Sequence, residues 1–219
     1  TCALPIWPHA VTMYNLAHCH RAMSRFTRAR VTFADAIARD EKTNEMPEEM
    51  RSAAEEYLRE VDRRLVRLEL SVTPADARIT VDGAPLQRAE DGTWVAGLRA
   101  AGPGAPIERG KGELLLNSGT HVFLVQREGF AERAMTLTLD VARSKPLRLE
   151  LAELPATIRI RADRDPAQVW VDAMSVGAAP IDVRRPAGRY DVSVRADGYE
   201  DFTSSVVVRS GQVLTLQAE

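Results

Sequence analysis

Glycine is confined to one side of this chain. All 13 glycines lie at or beyond Gly83, and residues 9–67 hold none. Because glycine weakens helices and suits tight reversals, this asymmetry sets two folding regimes. Ala, Arg, Glu, Met and Leu dominate residues 9–67, with apolar side chains at helical spacing. From Leu68 onward Val and Thr become common, and apolar residues alternate with period two. The 219 residues therefore read as an α+β multidomain chain, a helical segment followed by an all-β segment.

Composition narrows the function classes. Aromatic residues are only 5%, so the cores are expected to be aliphatic. A net charge of −2 is too balanced for a nucleic-acid binder. No apolar run approaches the roughly 18 residues that cross a bilayer. Residues 1–7 open without Met and are expected to be a leader foreign to the fold. With them set aside, Cys19 is the only thiol, which leaves neither an internal disulfide nor a thiol metal cluster.

Within the helical segment (8–67) three helices are expected. The first runs over about 10–23, with Met13, Leu16, Ala17, His20 and Met23 inward. A turn near Ser24 and Arg25 leads to the second, about 26–40, with Phe26, Ala29, Phe33, Ala36 and Ile37. Pro47 suits the first turn of the third, which reaches about 67 with Ala54, Tyr57, Leu58, Val61 and Leu65 inward. The spacing of Leu16-Ala17, His20, Phe26, Ala29, Phe33 and Ala36 resembles a tetratricopeptide repeat, with the third helix as its solvating cap. Met13, Ser24 and Glu41 stand where that family has Trp, Gly and Pro. A single helix pair cannot bury its apolar face, so further repeats are expected before residue 10.

The β segment holds one pattern twice. Ala77 to Gly83 matches Ala167 to Ala173, and Gly119 to Phe130 matches Gly188 to Tyr199, without gaps. Asp82-Gly83 is a tight-turn signal; Asp172-Ala173 replaces it and suggests a different turn. The Gly-aromatic pairs Gly129-Phe130 and Gly198-Tyr199 are expected to pin a reversal against the core. The first copy carries an insertion within about 84–112, rich in Gly and Pro. Gly177-Ala178-Ala179-Pro180, Pro186-Ala187-Gly188 and Gly198-Tyr199 resemble the PEGA domain family of small bacterial β-sandwich modules. Two such antiparallel sandwiches are expected, over 68–152 and 153–219. In the first, Asn117-Ser118-Gly119 departs from the family's Pro-x-Gly. The resemblance implies a location in the bacterial cell envelope, periplasmic or exported, and no defined activity.

No constellation in the sequence supports catalysis. There is no Gly-x-Ser-x-Gly, no phosphate loop and no Cys–His pair with nucleophile spacing. His18 and His20 point to different helix faces and cannot share a metal. Asp163-Arg164-Asp165 lacks the oxygen ligands a calcium site needs. No cofactor and no metal are expected. Arg21, Arg25, Arg28 and Arg30 cluster at the first helical turn. They read as an anion contact or, preferably, as a solvated surface partly balanced by Asp35, Asp40 and Glu41.

The candidate sites are therefore surfaces. Val11, Tyr14, His18 and Arg21 share the other face of the first helix, which the repeat resemblance makes a peptide groove. Trp170 alternates with Val169 and Val171, so it should point away from its core, toward a sugar or a neighbouring domain. Val122 and Leu124 match Asp191 and Ser193 in the second copy, so something is expected to cover them: the insertion with Trp94, or the helices. The expected function is non-catalytic, a protein- or peptide-binding and spacer segment of an envelope protein. The alternatives are a carbohydrate- or peptidoglycan-binding module using Trp170 or Trp94, or a regulatory extension of an enzyme such as a kinase.

Overall fold

A computed structural model describes residues 9–141 and 146–219, so the leader expected over 1–7 lies outside the described residues. Two compact bodies divide the chain. One takes the residues up to 125 with 133–150, and the other takes 126–132 with 151–219.

The first body opens with α1 (Ala10–Ala22), α2 (Phe26–Thr43) and α3 (Glu48–Asp62). The α2–α3 turn is closed by a buried carboxylate. Asp40 accepts from the Met46 N–H at 2.6 Å and from Arg51 Nε at 2.6 Å, and Asn44 adopts the left-handed conformation that ends α2. Helix α3 stops at Asp62, five residues short of the sequence expectation. Leu65 already belongs to β1 (Leu65–Thr73), because Val66, Leu68, Leu70 and Val72 alternate inward.

Two sheets follow. The first contains β4 (Gln87–Arg88), β5 (Trp94–Val95), β6 (Lys111–Asn117), β1 and β9 (Leu147–Glu150), in that order. The second contains β3 (Ala84–Pro85), β2 (Arg78–Val81), β7 (Gly119–Gln126) and β8 (Arg133–Leu139). The insertion is therefore more than loop: β4 and β5 extend the first sheet. Ala17, Ala29, Phe33, Ala54 and Val61 of the helices form one core with Leu65, Val95 and Leu115 of that sheet.

The second body has the same plan without that extension. A three-stranded sheet runs β13 (Ile181–Arg185), β10 (Ala156–Ala162), β16 (Val213–Ala218). A four-stranded sheet runs β12 (Met174–Ala178), β11 (Gln168–Val171), β14 (Gly188–Arg195), β15 (Phe202–Val208). The order β6-β1-β9 thus recurs as β13-β10-β16, and β3-β2-β7-β8 as β12-β11-β14-β15. Both β1 and β10 have an antiparallel neighbour on one side and a parallel one on the other. The second core is aliphatic, built from Ile158, Ile160, Val169, Val171, Val183, Val192, Val194, Val206 and Val208, each contributing about 1.5–3 kcal/mol on burial.

Three local expectations change. Leu16 and Met23 are 49% and 51% exposed, so the apolar face of α1 that turns inward is the one through Ala17. The two Asp turns are alike: Asp82-Gly83 and Asp172-Ala173 both place two residues at positive φ, Ala173 at 63°. Tyr199 is 59% exposed and does not pin its reversal; the reversal is set instead by Gly198 at φ 81°, as its counterpart is by Gly129 at φ 81°.

Candidate functional site

The Asp at the matching position of each pattern, Asp82 and Asp172, is structural. Asp82 accepts the Val122 N–H at 2.8 Å, and Asp172 accepts the Asp191 N–H at 2.9 Å. Each carboxylate thereby fastens a left-handed turn to the strand beside it. Asp82 also meets His121 Nδ1 at 2.7 Å, and His121 Nε2 reaches the Asn117 carbonyl at 3.0 Å, so His121 is spent on local structure.

Tyr14, His18 and Arg21 do come together, but around α3. Tyr14 hydroxyl and His18 Nε2 lie 3.0 Å apart, and the His18 ring stands edge-on to Tyr57 at 4.4 Å. Arg21 lies over the Tyr57 ring at 4.5 Å and donates twice to Glu60, at 3.0 and 2.6 Å. Phe33 closes the group against Tyr14 and Tyr57. Burial and then the Arg21 charge lower the His18 pKa, while burial raises that of the Tyr14 phenol. All three, like Val11, are half-buried.

Trp170 stands on the outer face of the β12-β11-β14-β15 sheet, opposite Ser193, with Val169 and Val171 turned into the core. It borders a groove of about 570 Å³ lined also by Asp191, Ser193, Arg195, Thr203 and Ser205. The Arg195 guanidinium lies 4.8 Å from the ring centre and holds Asp201 at 2.8 Å. The surface is an aromatic platform among hydroxyls and charges.

Val122 is 45% exposed and Leu124 half-buried. The expected cover does not form over Val122, because Trp94 and the insertion are used elsewhere. Trp94 packs on Gly112, where a Cβ would sit 2.6 Å from its ring. Segment 99–107 runs along β2, with the Ile79 N–H bonded to the Ala105 carbonyl at 3.1 Å.

Sequence reading missed what the insertion does for the helices. Arg30 pairs with Asp62 at 2.8 Å and with Asp91 of the insertion at 3.0 Å, and Arg28 Nε donates to the Gly97 carbonyl at 2.8 Å. The arginine cluster was the available signal; its partners in the insertion lie more than 60 residues away. Among the described residues no group of three or more His, Cys, Asp or Glu side chains is placed to hold a metal. No helix among them is long and apolar enough to cross a membrane.

No curated protein matches the chain. Solved structures give distant likenesses. The Bacillus anthracis TIE protein is 12% identical, with a TM-score of 0.33 over 71% of this chain and 34% of that one. A streptococcal ancillary pilin is 10% identical, with a TM-score of 0.33 over 72% of this chain and 63% of that one. The pilus adhesin RrgA from Streptococcus pneumoniae is 10% identical, with a TM-score of 0.23, and the chain spans 31% of its length. One family is matched directly: residues 156–219 fit the PEGA domain.

Proposed function

We propose that this chain is a non-catalytic interaction and spacer segment of an exported or envelope-associated bacterial protein. The observation that carries the reading is the recurrence of one seven-strand plan, the second occurrence of which matches the PEGA domain. The first occurrence is then a diverged copy, enlarged by the insertion. The helices are a tetratricopeptide-like remnant that engages a protein or peptide, with Val11, Tyr14, His18 and Arg21, half-buried beside α3, at the edge of the contact. The exposed Leu16 and Met23 support a preceding helix pair that covers α1. A spacer built this way unfolds module by module under load. Pulling the chain from its ends should give two separate β unfolding events, and one all-or-none event would contradict the reading.

A second reading, glycan binding at Trp170, is favoured by its groove of hydroxyl and charged side chains. Sedimentation with purified peptidoglycan should fall at least about fivefold on Trp170→Ala, since the ring supplies the main contact area. Equal sedimentation of both proteins would remove this reading.

A further inference from the structure

Four arginines surround the α1–α2 turn, and two have their charges answered. Arg21 holds Glu60, and Arg30 holds Asp62 and Asp91. Arg25 and Arg28 hold no carboxylate among the described residues. Both line a pocket of about 340 Å³ with Thr27, Gly97 and Asn117. Arg28 is half-buried and tethered: its Nε donates to the Gly97 carbonyl at 2.8 Å, so the guanidinium is held in place before any ligand arrives. The floor is fixed as well, since the Thr27 N–H donates to Asn117 Oδ1 at 3.1 Å. Helix α2 has no acidic residue in its first turn, so its positive end adds to the two cations without being neutralised locally. The neighbouring His20 registers that field; burial first, then Arg28 and Arg25, lower its pKa.

We infer that this pocket binds an oxyanion, a phosphate or a carboxylate, between the guanidinium groups of Arg25 and Arg28. The planar forks of two arginines match the oxygens of either group. The pocket shares no residue with the Tyr14–His18–Arg21 face, so this site holds or fails apart from the partner reading above.

The test is titration of the whole chain with inorganic phosphate and, separately, with triglutamate, followed by amide NMR. Saturable shifts at Thr27, Arg28 and Gly97 are expected with at least one probe, with a Kd below about 10 mM. Arg25 is exposed, so Arg25→Gln should leave the rest of the spectrum in place while weakening binding about tenfold, the loss of one charge-assisted contact. Arg25→Lys should weaken it less, and Arg184→Gln, on the second sheet system, not at all. Saturation by phosphate alone would assign a phosphorylated ligand, and saturation by triglutamate alone an acidic side chain. Failure of both probes to saturate, or equal affinity in Arg25→Gln, would overturn the site.

Discussion

The two β modules share a strand plan but differ on one face, and that difference explains where the helices sit. In the first module Arg67 lies opposite Leu115, one residue beyond the Leu68–Leu114 pair. In the second, Thr157 lies opposite Arg184, one residue beyond Ile158–Val183. Leu115 is fully buried under the helices; Arg184 is exposed. Two residues before, both modules are acidic and alike: Glu113 pairs with Arg67 at 3.0 Å, and Asp182 with Arg159 at 3.0 Å. Arg184 keeps its position on the second sheet in solvent, whereas Leu115, on a sheet widened by β4 and β5, is part of a floor for another layer. The same strand plan thus carries a helical layer in the first module, where Leu115 stands in the place of Arg184.

The largest effect is expected of Leu115→Arg, which gives the first module the side chain of the second. It should cost about 4 kcal/mol or more, because a charge is driven into the helix–sheet core. The reciprocal Arg184→Leu should stay within about 0.5 kcal/mol. Urea denaturation followed by far-UV circular dichroism checks both, and equal effects would refute the asymmetry. Asp40→Ala comes next, at about 3 kcal/mol, since it strips Arg51 and the Met46 N–H of a buried acceptor. The loss should appear in the helical signal before the β signal.

Asp82→Ala and Asp172→Ala sharpen what the modules share. Each should cost about 1–2 kcal/mol through the lost backbone contact, with Asp82→Ala the larger because His121 is also released. Ala173→Gly should stabilise the second module by about 1 kcal/mol, by removing a Cβ from a left-handed position. Calorimetric melting measures all three.

The smallest effect is that of pH, and its histidine part belongs to the helices. His18 and His20 have folded pKa values below the usual 6.5. Below pH 6.5 the unfolded chain takes protons that the folded chain resists, so stability falls as pH drops through that value. Glu45, held near 2 by Arg39 and the Ala10 N–H, stabilises the fold above pH 4.5, and that contribution is lost toward pH 2. Melting temperatures from pH 8 to pH 3 should fall in those two windows. Glu45→Gln should shrink the second without abolishing it, because Glu60, Asp91 and Asp182 also have lowered pKa values, and a flat profile would contradict both.

Much of the architecture was legible in the residues because its signals are local. The absence of glycine over residues 9–67, with helical spacing, marks the helical segment, and alternation at Ile79/Val81 and Val169/Val171 marks strands that recur in the same order. The outward position of Trp170 follows from that alternation alone. The faces of α1 were not legible: Leu16 looks like a core residue until α3 is seen to pack on Tyr14, His18 and Arg21 instead. Helix periodicity gives two apolar faces and does not say which one a distant helix will choose.

Residues a few positions apart were enough to give the classes of element and the strand pattern that recurs. Tertiary structure decided that the Gly/Pro-rich insertion becomes two strands, that its Asp91 and Gly97 receive Arg30 and Arg28, and that Arg25 and Arg28 are left facing a pocket. The arginine contacts among them join residues more than 60 positions apart. The pairing of distant charges and carbonyls is settled only when the layers meet.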